Sequence, residues 1–218
     1  MTWDEMAPLL VEATWQTAQM VGWSTLFTVL LGLPLGVALV VFDRGGLLPL
    51  PAVKTVLGVV VNVGRSLPFI VLMIAIIPFT RLVVGTTIGT AAVVVPLTVG
   101  AVPFFARLVE TALREVGADV VQAAQAMGAG RTTIVGKVLL PEAFPGLVAG
   151  LTVTVVALIG YSAMAGTVGG GGLGDLAVRY GYQRFETLIM IVTVVVLIVI
   201  VQLVQSLGDV VARRLSHK

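Results

Sequence analysis

"VQAAQAMGAGRTTIVGKVLLPEA", Val121 to Ala143, is a polar-flecked stretch between long apolar runs, and where it lies decides how the whole chain folds. The 218 residues around it are 58% hydrophobic and 11% charged, with a mean hydropathy of +1.08. A soluble domain is only about 45–50% apolar, so the composition is that of an integral membrane protein. There is no cysteine and one histidine, His217, which leaves disulfides, thiolate metal sites and histidine catalysis without components. The sequence pI near 9.3 does not indicate nucleic acid, because the basic residues are scattered between apolar runs and form no stripe. Asp4, Glu5 and Glu12 precede the first basic residue, Arg44, so the cationic flank of a secretory signal is missing and the first apolar run is expected to be retained.

A hydrocarbon core about 30 Å thick needs roughly 20 apolar residues in helical form. Five runs are long enough: Trp15 to Phe42, Val53 to Phe79, Thr87 to Ala106, Gly146 to Gly166 and Thr187 to Leu207. They are too long and too uniformly apolar for barrel strands, so the expected class is all-α. Pro34, Pro68, Pro96 and Pro103 are read as tolerated inside membrane helices. The connections divide the basic residues unevenly. Nine (Arg44, Lys54, Arg107, Arg114, Arg131, Lys137, Arg213, Arg214 and Lys218) fall on one side, three (Arg81, Arg179 and Arg184) on the other, and Arg65 lies within a span. The richer side is expected to be cytoplasmic, with the N-terminus outside and the C-terminus inside. This gives an extracytoplasmic segment 1–14, a membrane domain 15–210 with a cytoplasmic loop 107–145, and a cytoplasmic tail 211–218.

The opening stretch therefore sits in the longest connection, far beyond the usual 2–8 or so residues of a bundle. Ala118, Val121, Ala124 and Met127, three apart, predict a common face on a short helix. Gly128 and Gly130 predict its stop, and Pro145 predicts a break or redirection before the fourth span. A short helix surfaced with Ala and Gly admits close approach of another protein; from spacing alone, a solvated loop without a partner fits equally well.

The same loop resembles the signature of ABC importer permeases: Glu-Ala-Ala, three residues, Gly, nine residues, then Ile-x-Leu-Pro. Here Gln122, Ala123 and Ala124 are followed after three residues by Gly128, and after nine more by Val138, Leu139, Leu140 and Pro141. Both spacings are kept; Gln122 replaces the acid and Val138 the isoleucine. The resemblance implies a type I ABC importer permease fold. It also implies a coupling helix over Gln122 to Gly130 that seats in a cleft of a separate ATPase. The contact would be made by Gln122, Ala123, Ala124, Met127, Gly128, Ala129, Leu140 and Pro141, with Met127 as an apolar knob. ATP and Mg would be used by that partner, and this chain would bind no cofactor or metal.

"GTVGGGGLGDL" is not a phosphate loop, since it lacks the Gly-Lys-Ser/Thr ending and follows a membrane span. Gly169 to Gly172 are read as a flexible outer hinge, and Asp175 as the cap of a short helix through Tyr180. Two stretches, "GRSLPFIVLMIAIIPFTRLVVGTTIG" from Gly64 and "GYSAMAGTVGGGGLGDLAVRYGYQRFE" from Gly160, resemble the methionine-uptake permeases. That likeness implies a bacterial cytoplasmic (inner) membrane subunit with a second copy of itself as partner. It further implies a pair of ABC ATPase subunits and an extracytoplasmic substrate-binding lipoprotein, the assembly carrying L- or D-methionine.

Candidate pathway residues are few. Asn62, Arg65 and Ser66 lie together in the second span, and intramembrane polar groups face a cavity or another helix. Arg65 either braces the fold by snorkelling or lines the cavity. Tyr161, Ser162 and Met164 end the fourth span; Met164 is either packing or, paired across a dimer axis, an apolar gate. Gly32 and Gly36 form a Gly-x-x-x-Gly contact surface, within one subunit or between two. The rival readings are an importer of the same architecture for another small amino acid, a phosphonate or a quaternary amine; a self-sufficient channel; and an intramembrane protease. The last two lack acidic rings, filter sequences or paired catalytic groups at membrane depth.

Overall fold

The computed structural model describes residues 3–215; His217 and Lys218 lie outside the described residues. Every regular element among them is helical: α1 (Trp3–Val41), α2 (Pro51–Ser66), α3 (Phe69–Ala75), α4 (Ile77–Val84), α5 (Thr90–Arg114), α6 (Ala118–Ala126), α7 (Arg131–Ile134), α8 (Leu140–Gly166), α9 (Gly172–Leu176) and α10 (Thr187–Leu215). π-helical turns at Val135–Leu139 and Ala177–Tyr182 join α7 to α8 and extend α9. Taking α7 through α8 as one helix, four are long and apolar enough to cross a membrane, and five if α2 with α3 counts as one span.

The helices outrun the apolar runs that announce them. α1 starts at Trp3, with no break where the first run starts at Trp15, α5 continues past Ala106 to Arg114, and α10 past Leu207 to Leu215. Apolarity reports where a helix meets lipid, whereas its backbone hydrogen bonds carry on into water, so composition underestimates length.

α5 is the axis of the bundle and α10 its rim: 56% of the most apolar window of α5 is buried, against 11% for α10. α1 lies along α5, and two glycines set how closely. A Cβ on Gly32 would come 3.0 Å from Phe105 Cδ1, and one on Gly36 would come 2.6 Å from the Ala106 carbonyl oxygen. The Gly-x-x-x-Gly surface therefore joins two helices of one chain.

Two expectations about proline need correction. Pro34, Pro96 and Pro103 do sit inside continuous helices, but the second span is broken at Leu67 and Pro68, where α2 and α3 meet at 105°. Leu67 is extended (φ −82, ψ 126), as a residue before proline tends to be. Conversely, Pro145 neither breaks nor redirects the chain, which runs as one helix from Arg131 to Gly166. The π turn carries the helix into Pro141: the Leu140 N–H donates to the Val135 carbonyl, five residues back. That wider turn eases the clash a proline ring otherwise makes with the carbonyl four residues earlier.

Candidate functional site

The connection between α5 and α8 is a compact block with one side chain standing out of it. α6 ends at Met127, and Gly128 takes the left-handed conformation (φ 80). The Ala129 N–H then donates to the Ala124 carbonyl (3.0 Å) and the Gly128 N–H to the Gln125 carbonyl (2.9 Å). This Schellman closure is the stop that Gly128 predicts. Ala124 is buried with Leu113, Ile134 and Leu139, with Val121 and Ala129 against the same cluster. Gln122, Ala123, Gly128 and Pro141 are exposed, and Leu140 is half-buried. Met127 is 81% exposed. The common face expected for Ala118, Val121, Ala124 and Met127 is thus divided: Ala118 and Met127 are exposed, Val121 is half-buried and Ala124 buried. At Met127 the reason is the closure, which peels the chain off the helix.

Beside this block lies an ion cluster. Glu110, 3% exposed, receives hydrogen bonds from Arg107 and Arg114, and Arg114 also donates to Asp43. Lys54 pairs with Asp43 at 3.6 Å, and Arg107 Nη2 donates to Asn62 Oδ1 at 3.3 Å. The cluster ties the α1–α2 turn and α2 to the end of α5. The Arg114 hydrogen bond, with the Arg44 backbone N–H second, holds the Asp43 carboxyl below the usual carboxylate range. Sequence reading missed this cluster, although Arg107 and Arg114 stand three before and four after Glu110, a readable helical pattern.

Arg65 is not part of the cluster. It is exposed in the last turn of α2 and has no hydrogen bond or ion pair among the described residues. Gly64 beside it is level with Pro103 of α5, where a Cβ on Gly64 would come 2.9 Å from Pro103 Cγ, about one helical turn from Arg107. The negative end of α2 favours a cation there by about 0.3–1 kcal/mol. The helix end alone does not settle this guanidinium. Its neighbours are already engaged: Ser66 Oγ donates to the Asn62 carbonyl at 2.8 Å.

At the far end of α8, the remaining candidates separate. Ser162 is buried and donates to the Ile159 carbonyl at 2.7 Å, so its hydroxyl is spent within its own helix. Tyr161 stacks on Phe69 with ring centroids 4.6 Å apart, which fastens α8 to α3. Met164 is 49% exposed.

The glycine run that follows is pinned rather than hinge-like. Gly172 and Leu173 donate their backbone N–H groups to Gln16 Oε1 (2.8 Å) and Thr17 Oγ1 (2.9 Å) on α1, and Gly89 N–H donates to the Gly169 carbonyl at 3.0 Å. Gly169, Gly171 and Gly172 all have φ near +80 (82, 80 and 77). Asp175 does not cap a helix; it lies within α9 and pairs with Arg179 at 2.7 Å, while the helix start is closed by α1. Nothing local marks Gln16 and Thr17 as partners of a loop 156 residues away.

Residues 29–217 match the family described as binding-protein-dependent transport system inner membrane component. The chain belongs to that family. It is a multi-pass membrane protein with the fold of ABC importer permeases. Among relatives of this chain, a Vibrio cholerae chain named "Probable D-methionine transport system permease protein MetI" is 57% identical over 96% of this chain and 93% of its own length. The methionine import system permease protein MetP of Bacillus subtilis is 45% identical over 78% of this chain and 76% of its own. A solved inward-facing structure of the MetNI methionine ABC transporter superposes with a TM-score of 0.97, at 45% identity and 100% coverage of both chains. An amino acid ABC transporter solved with histidines has a TM-score of 0.80 at 18% identity, over 96% of this chain and 95% of its own, which is a likeness of fold alone.

Proposed function

We propose that this chain forms the pathway subunit of an ATP-driven importer of methionine, as the L- or D-isomer or both. Two copies line the route, a pair of ABC ATPase subunits docks on the loop side, and an extracytoplasmic lipoprotein delivers the solute. The N-terminus is outside, the C-terminus inside, and the membrane is the bacterial cytoplasmic (inner) membrane. ATP and Mg are used by the ATPase, and this chain hydrolyses nothing. The reading is carried by whole-chain likeness to proteins named as methionine permeases, at 57% identity over 96% of the chain.

The geometry suits that work. Met127 offers a flexible apolar side chain to a cleft, with Gln122, Ala123 and Gly128 exposed beside it. Behind it, α7, the π turn and α8 run unbroken from Arg131 to Gly166, so a push on the block is delivered to Tyr161 and Met164. Two copies of Met164 closing on one another would make an apolar gate. ATPase closure drives the cycle only because the docked partner binds one arrangement of the loops better than the other.

The test is reconstitution of the full complex in vesicles. Concentrative uptake of radiolabelled methionine is expected with ATP and the ATPase, and none without them. Accumulation without the ATPase would refute coupling, and uptake of a phosphonate or quaternary amine in place of methionine would refute the cargo.

A further inference from the structure

The Arg65 guanidinium has no hydrogen-bond or ion-pair partner among the described residues. Arg65 stands in the last turn of α2, just before the 105° break of the second span. Non-helical backbone within a membrane span persists where it is buried in protein or lines a water-filled cavity. Leu67 and Pro68 at this break are exposed, as Arg65 is. The other polar groups nearby are committed, Ser66 Oγ to the Asn62 carbonyl and Asn62 Oδ1 to Arg107. Glu110, within the ion cluster, is shared between Arg107 and Arg114. Five guanidinium N–H donors in a planar fork have no acceptor among the described residues, and that fork matches a carboxylate. Pro68, which has no N–H, brings no donor to the Gly64 carbonyl, so an acceptor stands one residue from the cation.

We propose that Arg65, at the break between α2 and α3, is the point in the pathway that holds the α-carboxylate of the passing amino acid, with carbonyls of the α2 end facing its ammonium. This rests on the reading of the chain as an amino-acid pathway and goes beyond it by naming the group that is recognised and the residue that recognises it. A zwitterion meets both halves of such a site; a quaternary amine meets only the carbonyls and is repelled by the cation.

The experiment uses the whole complex, with Arg65→Lys, Arg65→Gln and Arg65→Met beside the unaltered chain. Methionine uptake in vesicles and binding-protein-stimulated ATP hydrolysis are read together, since hydrolysis reports folding and coupling. Loss of a charge-assisted contact predicts that Gln and Met lower uptake per ATP hydrolysed by about tenfold or more, while Lys, which keeps the charge but not the fork, falls between them and the unaltered chain. A diazirine analogue of methionine, photolysed in the unaltered complex and mapped by mass spectrometry, should label the peptide containing Asn62 to Phe69, and Arg65→Gln should abolish that label. Unchanged uptake in Arg65→Gln, a Lys variant no better than Gln, or undiminished labelling in Arg65→Gln would each overturn the proposal. If the unaltered complex takes up no methionine at all, the failure lies in the cargo reading and is visible before any substitution, and this proposal falls with it.

Discussion

Two connections in this chain are rich in small residues, and the fold uses them in opposite ways. Around Gly128, the left-handed turn closes α6 and leaves Met127 standing in solvent. Around Gly172, the same kind of backbone (φ 77) lets α1 press close: a Cβ there would meet Met20 Cε and Thr17 Oγ1, both at 2.7 Å. A Cβ on Gly128 would have nothing within 4 Å. Glycine permits either outcome, and what lies across from it decides which. The first connection projects a contact; the second is a latch between the start of α9 and α1.

That contrast is open to attack through stability and coupling measured side by side. Gly172→Val combines a strained φ with overpacking against α1 and should cost about 4 kcal/mol, the sum of two effects of about 1–3 each. Loss of folded protein in detergent is the expected readout; normal yield and melting temperature would mean that the latch is loose. Glu110→Gln leaves Arg107 and Arg114 without their carboxylate. Breaking a buried pair costs about 3–5 kcal/mol, but the two arginines are 37% and 44% exposed, so about 2 kcal/mol is expected in thermal unfolding. Gln16→Ala removes one latch acceptor and should cost about 1 kcal/mol, with the ratio of transport to hydrolysis unchanged. The smallest effect is on pH. Asp43 is held below its ordinary 3.8, so its contribution is complete above the unfolded value and is lost as pH falls through the folded one. Melting temperature should therefore decline below about pH 4, and Asp43→Asn should flatten that part of the curve.

How much of this could be read from residues alone varies by the range of the interaction. The five apolar runs and the α6 stop at Gly128 are local, and they were legible. Pro68 was not separated from Pro96, because a proline in an apolar run kinks or breaks according to what packs around it: Pro96 is buried and Pro68 exposed. Gly169 to Gly172 read as a hinge because the residues that pin it, Gln16 and Thr17, belong to another helix. Asp175 read as a cap for the same reason, since α1 already fills that role. Even the face of α6 was half right, with Ala124 turned into the block and Met127 out of it.

In the proposed function, Met127 receives force on the inner face from a separate ATPase. The chain has no cysteine of its own, so Met127→Cys supplies a single thiol. In the intact complex, that thiol should react with a membrane-impermeant maleimide only from the inner side, should crosslink to the ATPase, and once crosslinked should stop methionine uptake. Reaction from the outer side, or full uptake with the position blocked, would contradict the account.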